Sequence, residues 1–242
     1  MDTNLSLIKN LIKKTNVSWI NIIGSILLTG VLCYWAFLFF TQDEPQTLLT
    51  AADFPIHEYL GGLLFLLSFN EVIITFGQNL TNVMVPGFFL FYFLHQKQYV
   101  STAFCLFWAG ENIIWIGIYM ADAVKLQLNL CSGWYGVCGS GSDMEWGHDW
   151  HIIFSAWNLL PESEIIGGIF HVLGILCVIA SLIVLAYIIW VRIDFKLTMK
   201  LPNQSDSAKA LAAEIMQDTT HTNALSSETS SPVLIERITK DA

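Results

Sequence analysis

The chain has 242 residues, 54% hydrophobic and only 13% charged, and its mean hydropathy is +0.56. That balance is too apolar for a water-soluble domain of this length and points to an integral membrane protein. With 11 basic against 20 acidic residues the net charge is -9, which argues against nucleic acid as a partner and against general affinity for anionic lipid.

The first 18 residues carry Lys9, Lys13 and Lys14 and lead into the apolar run Trp19 to Thr41. At 1.5 Å per residue that run extends about 34 Å, enough to cross a bilayer core. It ends in Tyr34-Trp35-Ala36-Phe37 and beyond rather than in a small-residue cleavage site, so it reads as a retained anchor. Tyr99 to Ala121 and Ile165 to Val191 are two further spans, the last followed by Arg192, Lys196 and Lys200.

Between them, Glu58 to His95 is too long for one straight span and carries Asn70, Glu71, Gln78, Asn79, Asn82 and Pro86-Gly87. Basic residues concentrate on the cytoplasmic side of membranes. The N-terminal lysines, Lys97 and the basic end of the last span share that side only if 58–95 makes one net crossing. The expected arrangement is a segment over 58–76 that turns back, a break near Gly77-Gln78-Asn79, and a span over 82–94. Two full crossings are the alternative, which would put Lys97 and the basic tail outside.

The fold expected is all-α: a polytopic transmembrane bundle over 19–194, with four to five embedded segments and a re-entrant or broken helix. Its outer loop, 122–164, carries a short helix. Residues 1–18 form a cytoplasmic segment, and 195–242, rich in Ser, Thr, Asp and Glu, form a flexible cytoplasmic tail.

Ionisable groups inside apolar spans cost roughly 2.5–3.5 kcal/mol each on insertion scales. Glu71, Glu111 with its neighbour Asn112, and His171 therefore call for partners. In the expected topology His57, His148, His151 and His171 gather on the outer face together with Glu58 and Asp122, and His and carboxylate are zinc-ligand types. His148 and His151 are three apart and would share one face of a helix. The competing reading is that His148-Asp149-Trp150 merely caps a short interfacial helix from Trp150 to Leu160. Cys131 and Cys138 bracket a polar loop, as a disulfide pair or as two unlinked thiols.

The chain carries, in order, His57-Glu58 opening a helix, Phe76-Gly77, Pro86, Phe107-Trp108-Ala109-Gly110-Glu111-Asn112, Tyr119-Met120-Ala121-Asp122-Ala123 and His148-Asp149-Trp150. That order is similar to the one in a group of bacterial multi-span membrane proteins in which an Asp at a span end and a His-Asp-Trp segment recur. The chain resembles that group, which looks like intramembrane zinc metallopeptidases, over roughly Pro55 to Gly174. The resemblance implies a His-Glu-x-x-His zinc motif with Glu58 as general base and His57 as ligand. Asp122, His148, His151 or His171 would complete the site. One departure stands out: Gly61 occupies the place of the second motif histidine.

Three functions follow as expectations. The first is a membrane protein with a metallopeptidase-like fold and a degenerate metal site, or, if Zn2+ is held, a zinc hydrolase acting on a membrane protein substrate. The second is a non-catalytic scaffold or adaptor whose tail binds a cytoplasmic partner. The third is a small proton-linked transporter using Glu71, Glu111 and His171. The expected location is the bilayer of a bacterial inner membrane, with both termini cytoplasmic.

Overall fold

The computed structural model describes residues 18–42, 47–67, 70–132, 137–140 and 148–200. Six α-helices dominate it: α1 (Trp19–Thr41), α2 (Leu48–Leu67), α3 (Glu71–His95), α4 (Tyr99–Ala121), α5 (Asp149–Trp157) and α6 (Ser163–Lys200). A two-stranded antiparallel hairpin, β1 (Asn129–Ser132) with β2 (Val137–Ser140), and a 3-10 turn at Leu160–Glu162 complete the described elements. The helical architecture is the one expected; the hairpin adds a small β element to the loop after α4. The chain divides into two units, Met1–Ile193 and Asp194–Ala242. The second is described only over Asp194–Lys200, the last turns of α6. The expected N-terminal segment lies outside the described residues, as does the tail beyond Lys200.

Among the described residues three helices are long and apolar enough to cross a membrane: α1, α4, and the stretch Leu160–Thr198 that contains most of α6. They mark the chain as an integral membrane protein. At 38 residues, α6 extends about 57 Å, well beyond one hydrocarbon core.

The packing of α4 on α6 follows from four glycines spaced seven apart. Gly117 lies against Gly167 and His171, while Gly110 lies against Gly174 and Cys177, so the two helices run antiparallel. A Cβ on Gly117 would fall 2.5 Å from the His171 backbone nitrogen, and one on Gly174 would fall 2.6 Å from the nitrogen of Ile114. The backbones touch with no side chain between them, the small-residue mode of helix packing used where lipid removes the hydrophobic drive. One further heptad along each helix, Ser181 Oγ donates to the Ala103 carbonyl at 2.6 Å.

On α1, Leu32 and Ala36 join Phe107, Ile114, Val178 and Leu185 in the main core. Arg192 Nη1 donates to Ser25 Oγ at 3.0 Å, while Phe39 and Ile175 line one cleft at the other end. Hence α1 is antiparallel to α6 and parallel to α4.

The largest departure from expectation concerns 58–95. No break occurs at Gly77-Gln78-Asn79: α3 is continuous from Glu71 to His95 and accommodates Pro86. Asn79 Nδ2 bonds the Thr75 carbonyl one turn back and the Asp149 carboxylate outside the helix, so a polar residue expected to break the helix is satisfied within it. The helices part between Leu67 and Glu71 instead, with Asn70 capping Ile73. Val72, Phe76 and Val83 of α3 pack with Ile116 and Met120, which sets α3 antiparallel to α4.

Candidate functional site

At the C-terminal end of α4, five segments place polar side chains in one connected layer. Asp122 ends the helix, and its Oδ1 and Oδ2 accept the backbone N–H groups of Gln127 and Leu128, each at 3.0 Å. That clamp closes the turn in which Leu126 takes a left-handed φ of 53°. Against Asp122 Oδ2 stands His148 Nε2 at 3.4 Å. His148 is fully buried, and its Nδ1 accepts the N–H of His151 at 3.2 Å, so the histidine acts as the N-cap of α5. The His148 ring packs on that of Tyr119 at 4.3 Å between centroids. The Tyr119 hydroxyl in turn accepts the N–H of Asp149 at 3.0 Å.

Asp149 extends the layer to two more helices. Its Oδ2 accepts from Asn79 Nδ2 at 2.7 Å and lies 3.7 Å from His57 Nε2 on α2. His151 Nδ1 lies 2.7 Å from the Ala123 carbonyl. Beneath these groups Trp150, Ile153 and Phe154 are buried against Ile116 and Met120. Burial holds the His148 imidazole below the usual histidine range, opposed by the Asp122 carboxylate beside it.

A second polar cluster lies lower on α4. Glu111 is fully buried, and Thr47 Oγ1 donates to its Oε1 at 3.0 Å. Trp108 Nε1 donates to Asp53 Oδ1 at 2.7 Å, and Asn112 bonds the Trp108 carbonyl at 3.1 Å. Helix α2 thus begins beside the middle of α4 and carries His57 up to Asp149.

The residues named from sequence separate into groups. His57, Asp122, His148 and His151 belong to the polar layer, whereas His171 lies on α6 at the cleft beside α1. Glu58 lies on α2 next to His57, and its side chain is outside the described residues. Glu71 occupies the first turn of α3, exposed at a helix N-terminus where a negative charge is favourable. Glu111 and Asn112 are buried on α4 as anticipated. The register sets Cys131 directly opposite Cys138. His148 and His151 do not present a shared ligand face; the former caps the latter's N–H, the capping role weighed as the competing reading.

Asp53, Thr47, Asn79, Tyr119 and Asp149 were missed as site residues. Asp53 and Thr47 fall in a stretch that reads as an acidic outer loop, and Asn79 reads as a helix breaker. Their only sequence signal is polarity next to an apolar run.

Zinc would need at least three ligand atoms, from imidazole nitrogen, thiolate or carboxylate, aimed at one point. A neutral imidazole has one donor and one acceptor nitrogen. In His148 the acceptor is Nδ1, taken by His151, and Nε2 faces a carboxylate. Both Asp122 oxygens accept backbone N–H groups. Among the described residues no three His, Cys, Asp or Glu side chains form a metal-holding group. In this arrangement the described residues do not fit a catalytic zinc; they fit a hydrogen-bonded tie between α3, α4 and α5 that His57 of α2 approaches at 3.7 Å. No protein family, curated protein or solved structure matches the chain.

Proposed function

We propose that this is a non-catalytic relative of the metallopeptidase-like membrane proteins, a scaffold or adaptor in which the former metal-site residues tie the outer end of the bundle together. The observation that carries this reading is that His148 Nδ1 is taken by the N–H of His151 as the N-cap of α5, while the buried Nε2 lies 3.4 Å from the Asp122 carboxylate. Gly61 at the second motif position points the same way. The Ser/Thr- and acid-rich stretch after Lys200 supplies the partner-binding segment.

The helix directions support one orientation. The starts of α1 and α4 and the Arg192 end of α6 share one side, and that side carries Lys97 and Arg192. By the positive-inside rule this supports a cytoplasmic placement of that side and an outer placement of the polar layer, and the family resemblance suggests a bacterial inner membrane. Fluorescent-protein fusions after Lys97 and Lys200 are expected to fluoresce and one after Ser140 to stay dark; the reverse pattern would overturn the orientation.

Metal content of detergent-purified protein tests the non-catalytic reading. Wild type is expected to hold no stoichiometric zinc, and His57→Ala to complement a deletion strain while removal of 205–242 does not. Near-stoichiometric zinc, lost in both His57→Ala and His148→Ala, would restore the hydrolase reading.

A further inference from the structure

A cleft of about 630 Å³ opens between the last turn of α1, the end of α4 and α6, within the size range of small-molecule sites. Beside it, Gly117 and Gly167 draw α4 and α6 into backbone contact. Phe39, Ile118 and Ile175 form an apolar wall, and Gln42, Lys125 and His171 add polar groups. Lys125 Nζ pairs with Glu164 Oε1 at 2.6 Å, and both side chains are more than half exposed, at 57% and 62%. The cleft thus combines an apolar wall with a cation that carries an anion beside it.

We propose that this cleft binds one zwitterionic glycerophospholipid, an acyl chain lying on the Phe39–Ile118–Ile175 wall, its phosphate at Lys125 and its ammonium at Glu164. Charge complementarity selects this occupant. A purely anionic headgroup would meet Glu164 and the nearby Asp122, whereas phosphatidylethanolamine presents both signs in the order the pair requires. An exposed ion pair is held weakly in water, so it opens to a bridging headgroup at little cost. Gln42 and His171 supply further hydrogen-bonding groups. The inference rests on the reading of α1, α4 and α6 as membrane spans.

Native mass spectrometry of protein released from bilayers of equal phosphatidylethanolamine and phosphatidylglycerol tests it. Wild type is expected to retain one phosphatidylethanolamine per chain. Ile175→Trp, which fills the wall, and Lys125→Glu, on an exposed side chain, should each lower retention at least fivefold. Glu164→Gln removes the ammonium's partner and should shift retention toward phosphatidylglycerol, an effect that a merely structural role would not produce. A detergent-dependent wild type that retains no lipid, prefers phosphatidylglycerol, or is indifferent to Lys125→Glu and Glu164→Gln would overturn the cleft assignment. A chain that stays monodisperse without detergent would instead overturn the membrane reading on which it rests.

Discussion

The seam between α4 and α6 and the polar layer above it hold the same helix in different ways. Along the seam Gly110 and Gly117 meet Gly167 and Gly174 backbone to backbone, with nothing that can rotate aside. In the layer, Asp149 accepts a hydrogen bond from Asn79 and lies 3.7 Å from His57, and Asp122 lies 3.4 Å from His148, the side chains being drawn from four helices and the turn that ends α4. The seam is intolerant of volume and indifferent to protons; the layer tolerates some change of shape but depends on each partner's hydrogen-bonding state. A contact made of backbone can only separate, whereas a network can lose one member and keep others.

Adjacent residues on α6 break the comparison most sharply. A Cβ at Gly167 would lie 2.5 Å from the Gly117 carbonyl oxygen and 2.6 Å from the Ala121 nitrogen, while one at Gly168 meets nothing within 4 Å. Gly167→Ala is expected to force the helices apart and cost about 3 kcal/mol. Gly168→Ala should be neutral or stabilise by about 0.5 kcal/mol through helix propensity. Thermal melts of both variants in the same detergent check the pair, and equal midpoints would remove the seam's special role.

In the layer the largest single effect is expected at Asp149. Removing its carboxylate leaves one N–H of the buried Asn79 amide without its 2.7 Å partner, the other staying on the Thr75 carbonyl, and releases His57. Asp149→Ala should cost about 2 kcal/mol by the usual penalty for an unsatisfied buried polar group. Denaturant titration checks it, with His57→Ala as the milder companion because His57 is the more exposed member.

His148 sharpens the distinction between cap and ligand. His148→Ala should cost about 1 kcal/mol through loss of the α5 cap, and His148→Asn should recover most of it because asparagine is a good N-cap. Equal destabilisation by alanine and asparagine would contradict the capping role.

The smallest effect is a pH dependence confined to the layer. The folded protein holds His148 below its ordinary value of 6.5 through burial, so the unfolded chain takes up the proton first as pH falls. The contribution is therefore complete above about pH 6.5 and is lost as pH falls through the lower folded value. Stability measured from pH 8 to pH 5 should show this downward slope, and His148→Asn should flatten it.

Each expectation fared according to how local its cause was. The boundaries of α1 and α4, Trp19–Thr41 and Tyr99–Ala121, match the apolar runs because hydropathy and length are properties of the segment itself. Burial of Glu111 and Asn112 was legible for the same reason, as polar residues centred in an apolar run. The break expected at Gly77-Gln78-Asn79 failed because Asn79 finds its partner on α5, far along the chain. The His148–His151 spacing suits either a shared ligand face or a helix cap, and spacing alone cannot tell the two apart.

The amino-acid sequence by itself determined that the chain is helical and carries segments apolar enough to span a membrane, and it singled out His57, Asp122 and His148 as candidate site residues. Only the tertiary structure decided what they do. Whether an imidazole nitrogen is free for a metal or used by a backbone N–H depends on which distant group reaches it, and that is fixed by the packing of α2, α3 and α5 on the end of α4.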